Sequence, residues 1–274
     1  MRSFVLLFVA VAVAVAVLVV VLRPMPPTER DLRWLLGPSA DDPRAAEVGR
    51  VYLSRHRRHR ERGAVVGLVL AIVLGVRWYG RVGLGIGEPA PWADLLFCGI
   101  AGVVVGALVA ETYRLARPAG GPTTASLTSR APLPGARMSL WSWVVVVAAV
   151  AIAVVVLVAE GTLLALGTAV VGAVLVGLAH VTRRAVRDRP RPVLSALAVD
   201  VDHALRAFAA QSVAHLQLAI AILTAAWVVA SVDSLSPVAE GLSILLVIGG
   251  LVAAVVLLRL AAPRPPRRWE PVAA

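Results

Sequence analysis

Three groups of side chains in this sequence have the types and spacing to do chemistry. His56 and His59, inside RHRRHRER (55–62), are three residues apart and would share a helix face as metal ligands. Asp200, Asp202 and His203 bring metal-ligating groups together in sequence. Glu111, His215 and Gln217 lie in or at the ends of apolar segments, where an ionisable group marks a functional site because burying it in lipid is costly. Each group also has a plainer reading. Arginines flank both histidines of the run and repel a cation, no third ligand is evident, and replacing His56 and His59 with alanine is expected to change nothing measurable. The two aspartates and His203 fit the solvated face of an amphipathic helix. Glu111 fits an interfacial position, and His215 and Gln217 either line a polar cavity with it or hydrogen-bond between helices. No P-loop, H-E-x-x-H, G-x-S-x-G or S-x-x-K pattern occurs, and no loop could house a sizeable catalytic domain. The sequence predicts no enzyme, no cofactor and no metal site.

The elements that must carry these residues follow from composition. Of 274 residues, 59% are hydrophobic and 16% charged, against about 45–50% apolar and about 25% charged in soluble domains. A chain this apolar calls for a bilayer as solvent. All 27 basic residues are arginine and asparagine is absent, which points to a GC-rich bacterial genome and excludes N-glycosylation. The only cysteine, Cys98, lies in LLFCGIAG, which suits a small buried residue and allows no intrachain disulfide.

A membrane helix needs about 20 apolar residues. Seven segments meet or approach this: 4–22, 63–76, 93–110, 140–158, 162–181, 212–230 and 238–258. The first alternates valine and alanine with the period of a strand, but both of its faces are apolar and a lone strand cannot satisfy its backbone in lipid. It is expected to be an uncleaved helical anchor, because RPMPPTER follows it with no A-x-A-like cleavage site. The second is short. Trp78 and Tyr79 as an interfacial belt, with Arg77 and Arg81 reaching outward, would extend it to about residue 80; a re-entrant hairpin is the alternative.

Arginine placement sets the expected orientation. If the segments cross alternately, 24 of the 27 arginines fall on one side, and cytoplasmic loops accumulate arginine. The expected fold is an all-α polytopic membrane protein with seven transmembrane helices, N-terminus outside and C-terminus in the cytoplasm. The whole chain, 1–274, forms one integral membrane domain. Its cytoplasmic parts are a basic loop with a juxtamembrane helix (23–62), a Pro/Gly/Ser/Thr-rich flexible linker (117–137), an amphipathic segment (182–211) and a tail (259–274). In that frame Arg55, Arg57, Arg58, Arg60 and Arg62 form a collar against anionic headgroups, each attracted by about 1 kcal/mol. Nucleic-acid binding would need a recognisable module beside the charges, and none is visible. DDPRAAEVGR reads as a helix start with Asp41 or Asp42 as cap, and Ala45, Val48, Val51 and Tyr52 as its apolar side along the inner leaflet. In 193–212, Leu194, Leu197, Val201, Leu205 and Phe208 form an apolar side opposite an Asp202–Arg206 pair.

Small residues recur every four positions in three segments: Gly63, Gly67, Ala71 and Gly75; Cys98, Gly102, Gly106 and Ala110; Gly161, Ala165, Ala169, Ala173 and Gly177. Such stripes let helices approach closely, although glycine and alanine are simply abundant here. Ala159–Glu160–Gly161 leaves room only for a tight antiparallel hairpin between the fourth and fifth segments. YLSRHRRHR, RWYG and DLLFCGIAGVVVGALVAETYRL resemble uncharacterised multi-pass membrane proteins of actinobacteria, a likeness covering residues 1–115. It implies a plasma-membrane location and brings no activity and no catalytic residues. The expected function is a non-enzymatic subunit or scaffold of a membrane or envelope complex, with anionic lipids and other proteins as partners. The alternative is a small transporter or channel component with a polar cavity near the sixth segment.

Overall fold

The computed structural model describes residues 26–77, 91–113, 123–124, 134–161, 163–188, 191–192, 195–232 and 237–265. Seven α-helices account for almost all of them: α1 (Glu29–Leu36), α2 (Pro43–Arg77), α3 (Pro91–Thr112), α4 (Ala136–Glu160), α5 (Leu163–Asp188), α6 (Ala196–Ala230) and α7 (Pro237–Leu260). A 3-10 turn (Gly37–Asp41) joins α1 to α2, and Thr123–Thr124 pairs antiparallel with Arg191–Pro192.

Six of the seven apolar segments fall on helices α2 to α7; the first, 4–22, lies outside the described residues. Four described helices are long and apolar enough to cross a membrane: Ala136–Glu160, Leu163–Asp188, Leu197–Ala230 and Glu240–Leu260. Cys98–Thr112 is a shorter apolar helix. The difference from seven has a physical reason in α2, whose N-terminal half is charged and whose apolar part is short. Its proposed aromatic belt at Trp78 and Tyr79 lies outside the described residues, as does nearly all of the 117–137 linker.

The helix starts follow local chemistry. Asp42 caps α2, its Oδ1 accepting from the backbone N–H groups of Arg44 and Ala45 at 2.9 and 3.0 Å, and Pro43 occupies the first turn, where its missing N–H costs nothing. From there α2 runs unbroken for 35 residues, about 52 Å. The buried side of its first half is Ala45, Ala46, Gly49, Tyr52 and Leu53; Val48 and Val51, expected on the apolar side, face outward. Gly161, with φ of 69°, ends α4 by donating to the Leu157 carbonyl at 2.9 Å, and α5 begins two residues later. The expected hairpin is present.

The first two small-residue stripes face each other. A Cβ on Gly63 would strike the Gly102 carbonyl, one on Gly67 the Cys98 carbonyl, and one on Gly106 the His59 carbonyl. Helices α2 and α3 therefore touch backbone to backbone, as only glycine permits. The third stripe holds only in part. Ala165 and Ala169 pack against Ala149 and Ala153 of α4, but the buried row then passes through Gly172, Val176 and Ala179, while Gly177 meets nothing within 4 Å. A strict four-residue step drifts off one face of a 3.6-residue helix; the observed alternation of threes and fours stays on it.

Helix α6 is the axis. Its apolar window is 72% buried, against 17–28% for α4, α5 and α7, whose outer faces show residues such as Val147, Val155, Val174, Leu245 and Val252. Ala209, Ala210, Ala214, Ala219 and Ala221 are fully buried on α6. Their size lets α4, α5 and α7 close around it, with Thr224 seated on Gly172 and Ala226 close to Gly250.

Gly102→Ala forces the α2 and α3 backbones apart. It is expected to lower the unfolding temperature in detergent by an amount matching about 1–3 kcal/mol of overpacking, whereas Gly177→Ala, made in open space, leaves it unchanged.

Candidate functional site at the basic end of the bundle

The arginine-rich segments converge on one end of the helices. Arg183, near the end of α5, donates to the Pro134 carbonyl ahead of α4 at 3.1 Å, and Arg206 of α6 donates to the Val186 carbonyl of α5 at 3.1 Å. Arg60 of α2 reaches the end of α7, and Glu111 at the end of α3 meets α2. Helix α1 covers this end. Its Leu32, Leu35 and Leu36 pack against Ala45, Ala46 and Leu53 of α2 and against Val201 and Leu205 of α6. So the apolar side expected in 193–212 is used in part, against protein, by Val201, Leu205 and Phe208, while Leu197 is exposed and Leu194 lies outside the described residues. The Asp202–Arg206 pair forms at 2.7 Å, with Arg206 buried rather than solvated.

Helical periodicity divides the basic run. Tyr52, His56, Arg57, Arg60 and Ala64 turn towards the interior, while Arg58 and Arg62 stay exposed. Arg55 stacks its guanidinium on Tyr113, 3.6 Å from the ring centroid, a cation–π contact. Arg57 pairs with Asp31 of α1 at 2.8 Å, both side chains less than a tenth exposed, and also donates to the Pro263 carbonyl at 3.1 Å. Arg60 donates to the carbonyls of Leu258 and Ala261 at 2.7 and 3.0 Å, and Ser212 adds a bond to Ala261 at 3.1 Å. These donors satisfy the orphan carbonyls at the end of α7, where the helix dipole also favours positive charge. Burial, together with the nearby charge of Arg264, pulls Arg60 down to about 10.

Asp31 was not among the residues singled out from sequence. Its signal is the spacing Thr28-x-x-Asp31, a capping box: Thr28 Oγ1 accepts from the Asp31 N–H at 3.3 Å, and Asp31 Oδ2 accepts from the Thr28 N–H at 2.8 Å. Burial alone would raise the Asp31 carboxyl, yet hydrogen bonds from Thr28 and Arg57 hold it below the ordinary value of 3.8.

The two histidines of the run part company. His56 is fully buried, its Nε2 2.7 Å from Glu111 Oε1, an oxygen that also accepts from the Tyr52 hydroxyl. Phe208 of α6 sits beside this cluster and makes edge-to-face ring contacts with Trp34, Tyr52 and His56. His59 remains partly exposed, and burial plus the charges of Arg62 and Arg55 hold its imidazole below the usual value. The expectation that both histidines are dispensable is revised for His56, because removing it strips a partner from a buried carboxyl group.

Of the proposed polar cavity, Glu111 belongs to this cluster. His215 lies buried on α6 with Nδ1 2.8 Å from the Gln211 carbonyl, and Gln217 is fully buried with neither amide atom hydrogen-bonded. Beside the Arg57 and Arg60 side chains an open-mouthed cavity of about 940 Å³ lies among α1, α2, α3, α6 and the end of α7. Chemically this end combines buried ion pairs, helix-end caps and a basic cleft. Comparisons with protein-family models, curated proteins and solved structures found no match for this chain.

Breaking a buried pair by removing one partner costs about 3–5 kcal/mol. Arg57→Gln should therefore lower the unfolding temperature in detergent steeply, and Arg58→Gln, at an exposed position, should not. Because Asp31 titrates below its ordinary 3.8, the stabilisation it supplies is complete above that pH and is lost as pH falls through the lower folded value. The gap between wild type and Arg57→Gln should accordingly close on acidification into that range. In the same assay His56→Ala destabilises and His59→Ala is neutral.

Proposed function

We propose that the chain is a multi-pass protein of the plasma membrane acting as a non-enzymatic subunit or scaffold of a membrane or envelope complex. The observation that carries this reading is the gathering of the arginine-rich helix ends at one end of a bundle whose flanks, on α4, α5 and α7, are apolar and exposed. A bilayer would cover those flanks, and the basic end would then lie at the cytoplasmic surface. In this reading the chain crosses seven times, N-terminus outside and C-terminus inside, and belongs with the actinobacterial membrane proteins that its N-terminal part resembles. The basic end offers anionic headgroups and acidic proteins a docking face, and Arg58 and Arg62 remain available to it. Tyr52, His56 and Glu111 of α2 and α3 are engaged with one another, and Arg57 with Asp31, which favours a structural role over a chemical one. A small transporter or channel component is the second reading, and the observation in its favour is the unpartnered amide of Gln217 in the middle of α6.

Two measurements test this. A reporter active only outside the cytoplasm should work at Gly85, Glu160 and Asp233 and fail at Ala125, Arg189 and the C-terminus. Activity at Ala125 without activity at Gly85 would reject the proposed topology. Affinity purification from the native host separates the two functional readings: a stoichiometric protein partner supports the scaffold, and its absence together with solute flux in proteoliposomes supports the transporter.

A further inference from the structure

The 940 Å³ cavity has two kinds of wall. Arg57, Arg60, Arg259 and Arg264 line it, with Glu61 the one carboxylate among the lining residues. Arg57 is held by Asp31. Arg60 has only backbone carbonyls opposite it, in Leu258 and Ala261, and it feels the like charge of Arg264. Arg259 and Arg264 are exposed at the mouth. No carboxylate lies within ion-pair distance of Arg60, Arg259 or Arg264 among the described residues. A guanidinium keeps five N–H donors in a planar fork suited to phosphate, and Arg60 spends two nitrogens on carbonyls. Gln211 and Ser212 of α6 add two uncharged polar groups, and the other lining side chains are apolar, chiefly Trp34, Phe208, Val103 and Leu260, with Ala64 and Val103 on the parts of α2 and α3 that enter their apolar segments. Excess positive charge at the mouth and a hydrocarbon-like wall leading into the bundle complement one kind of molecule, an anionic amphiphile.

We propose that this cleft is a specific site for an anionic phospholipid, its phosphate held by Arg60, Arg259 and Arg264 and the start of its acyl chain lying along Trp34, Phe208 and Val103. The site rests on the membrane reading given above and deepens it. A general basic collar attracts headgroups diffusely. This cleft selects one lipid molecule, because a basic pocket between helices adds shape and hydrogen bonding to attraction.

The test uses the full-length protein in detergent, with native mass spectrometry of bound lipid after adding phosphatidylglycerol or phosphatidylcholine. Wild type should retain phosphatidylglycerol in preference to phosphatidylcholine. Arg259→Gln with Arg264→Gln, at exposed mouth positions, should weaken that retention about thirtyfold, the loss of two headgroup attractions. Arg58→Gln with Arg62→Gln removes the same charge elsewhere on the basic end and should change it by less than about twofold. Equal weakening in both double variants, equal retention of the two lipids, or displacement of phosphatidylglycerol by millimolar inorganic phosphate would each overturn the lipid site. The membrane reading fails separately, by a chain that stays dispersed in water without detergent.

Discussion

A helix that ends against protein must find donors for its last carbonyls, and α7 ends in this way. The carbonyls of Leu258, Ala261 and Pro263 are reached by Arg60, Ser212 and Arg57. Leaving such groups unpaired would cost about 1–3 kcal/mol each. The donors come from α2 and α6, so meeting this one requirement fixes three helices against each other at the basic end. Arg57 then needs a counter-charge of its own, and Asp31 supplies it. That pairing draws α1 across the bundle end, where its leucines seal the junction. The Tyr52–His56–Glu111 cluster closes the remaining side between α2 and α3.

The opposite constraint rules away from this end. There are few polar groups to pair, so helix contact depends on how small the facing side chains are. Glycine against glycine sets the distance between α2 and α3, and alanine around the whole of α6 lets its neighbours crowd in. Valine and leucine share these seams at positions such as Val146, Val176, Val213 and Leu216, and others cover the outer faces of α4, α5 and α7. Polar capping at one end and close backbone packing along the shafts are complementary solutions within a single architecture.

Much of the helical framework was legible in the sequence because long apolar runs and cap residues are local signals. Pro43 after Asp42 announced α2, Gly161 announced the hairpin, and the glycine stripes of α2 and α3 found each other as spacing suggested. What could not be read was which way the RHRRHRER run turned. As a string it is basic apart from Glu61, and its meaning comes from partners as far as 206 positions away: Asp31, Glu111 and the end of α7. Arg57 and Arg58 are adjacent and chemically identical, yet one is buried in an ion pair and the other exposed. The third stripe misled for a related reason, since a pattern counted in fours ignores the slow rotation of a real helix. Asp31 carried a local signal, the Thr28 capping box, but its role towards Arg57 is a long-range one. The amphipathic face of 193–212 was visible as a face, without any indication that α1 would cover it.

The bond from Arg57 to the Pro263 carbonyl spans 206 positions, and this sets an order of events during synthesis. Neighbouring helices such as α2 with α3 and α4 with α5 can associate as soon as each emerges, since short loops close at little entropic expense. The junction at the basic end cannot be completed until α7 arrives. Arg60 meets its carbonyl partners only then, so a nascent chain carries an incompletely satisfied guanidinium for most of its elongation. Completion of α7 is thus the closing step: a chain that stops short of Leu258 keeps the contacts of α2 with α3 and of α4 with α5 and leaves its basic end unfastened.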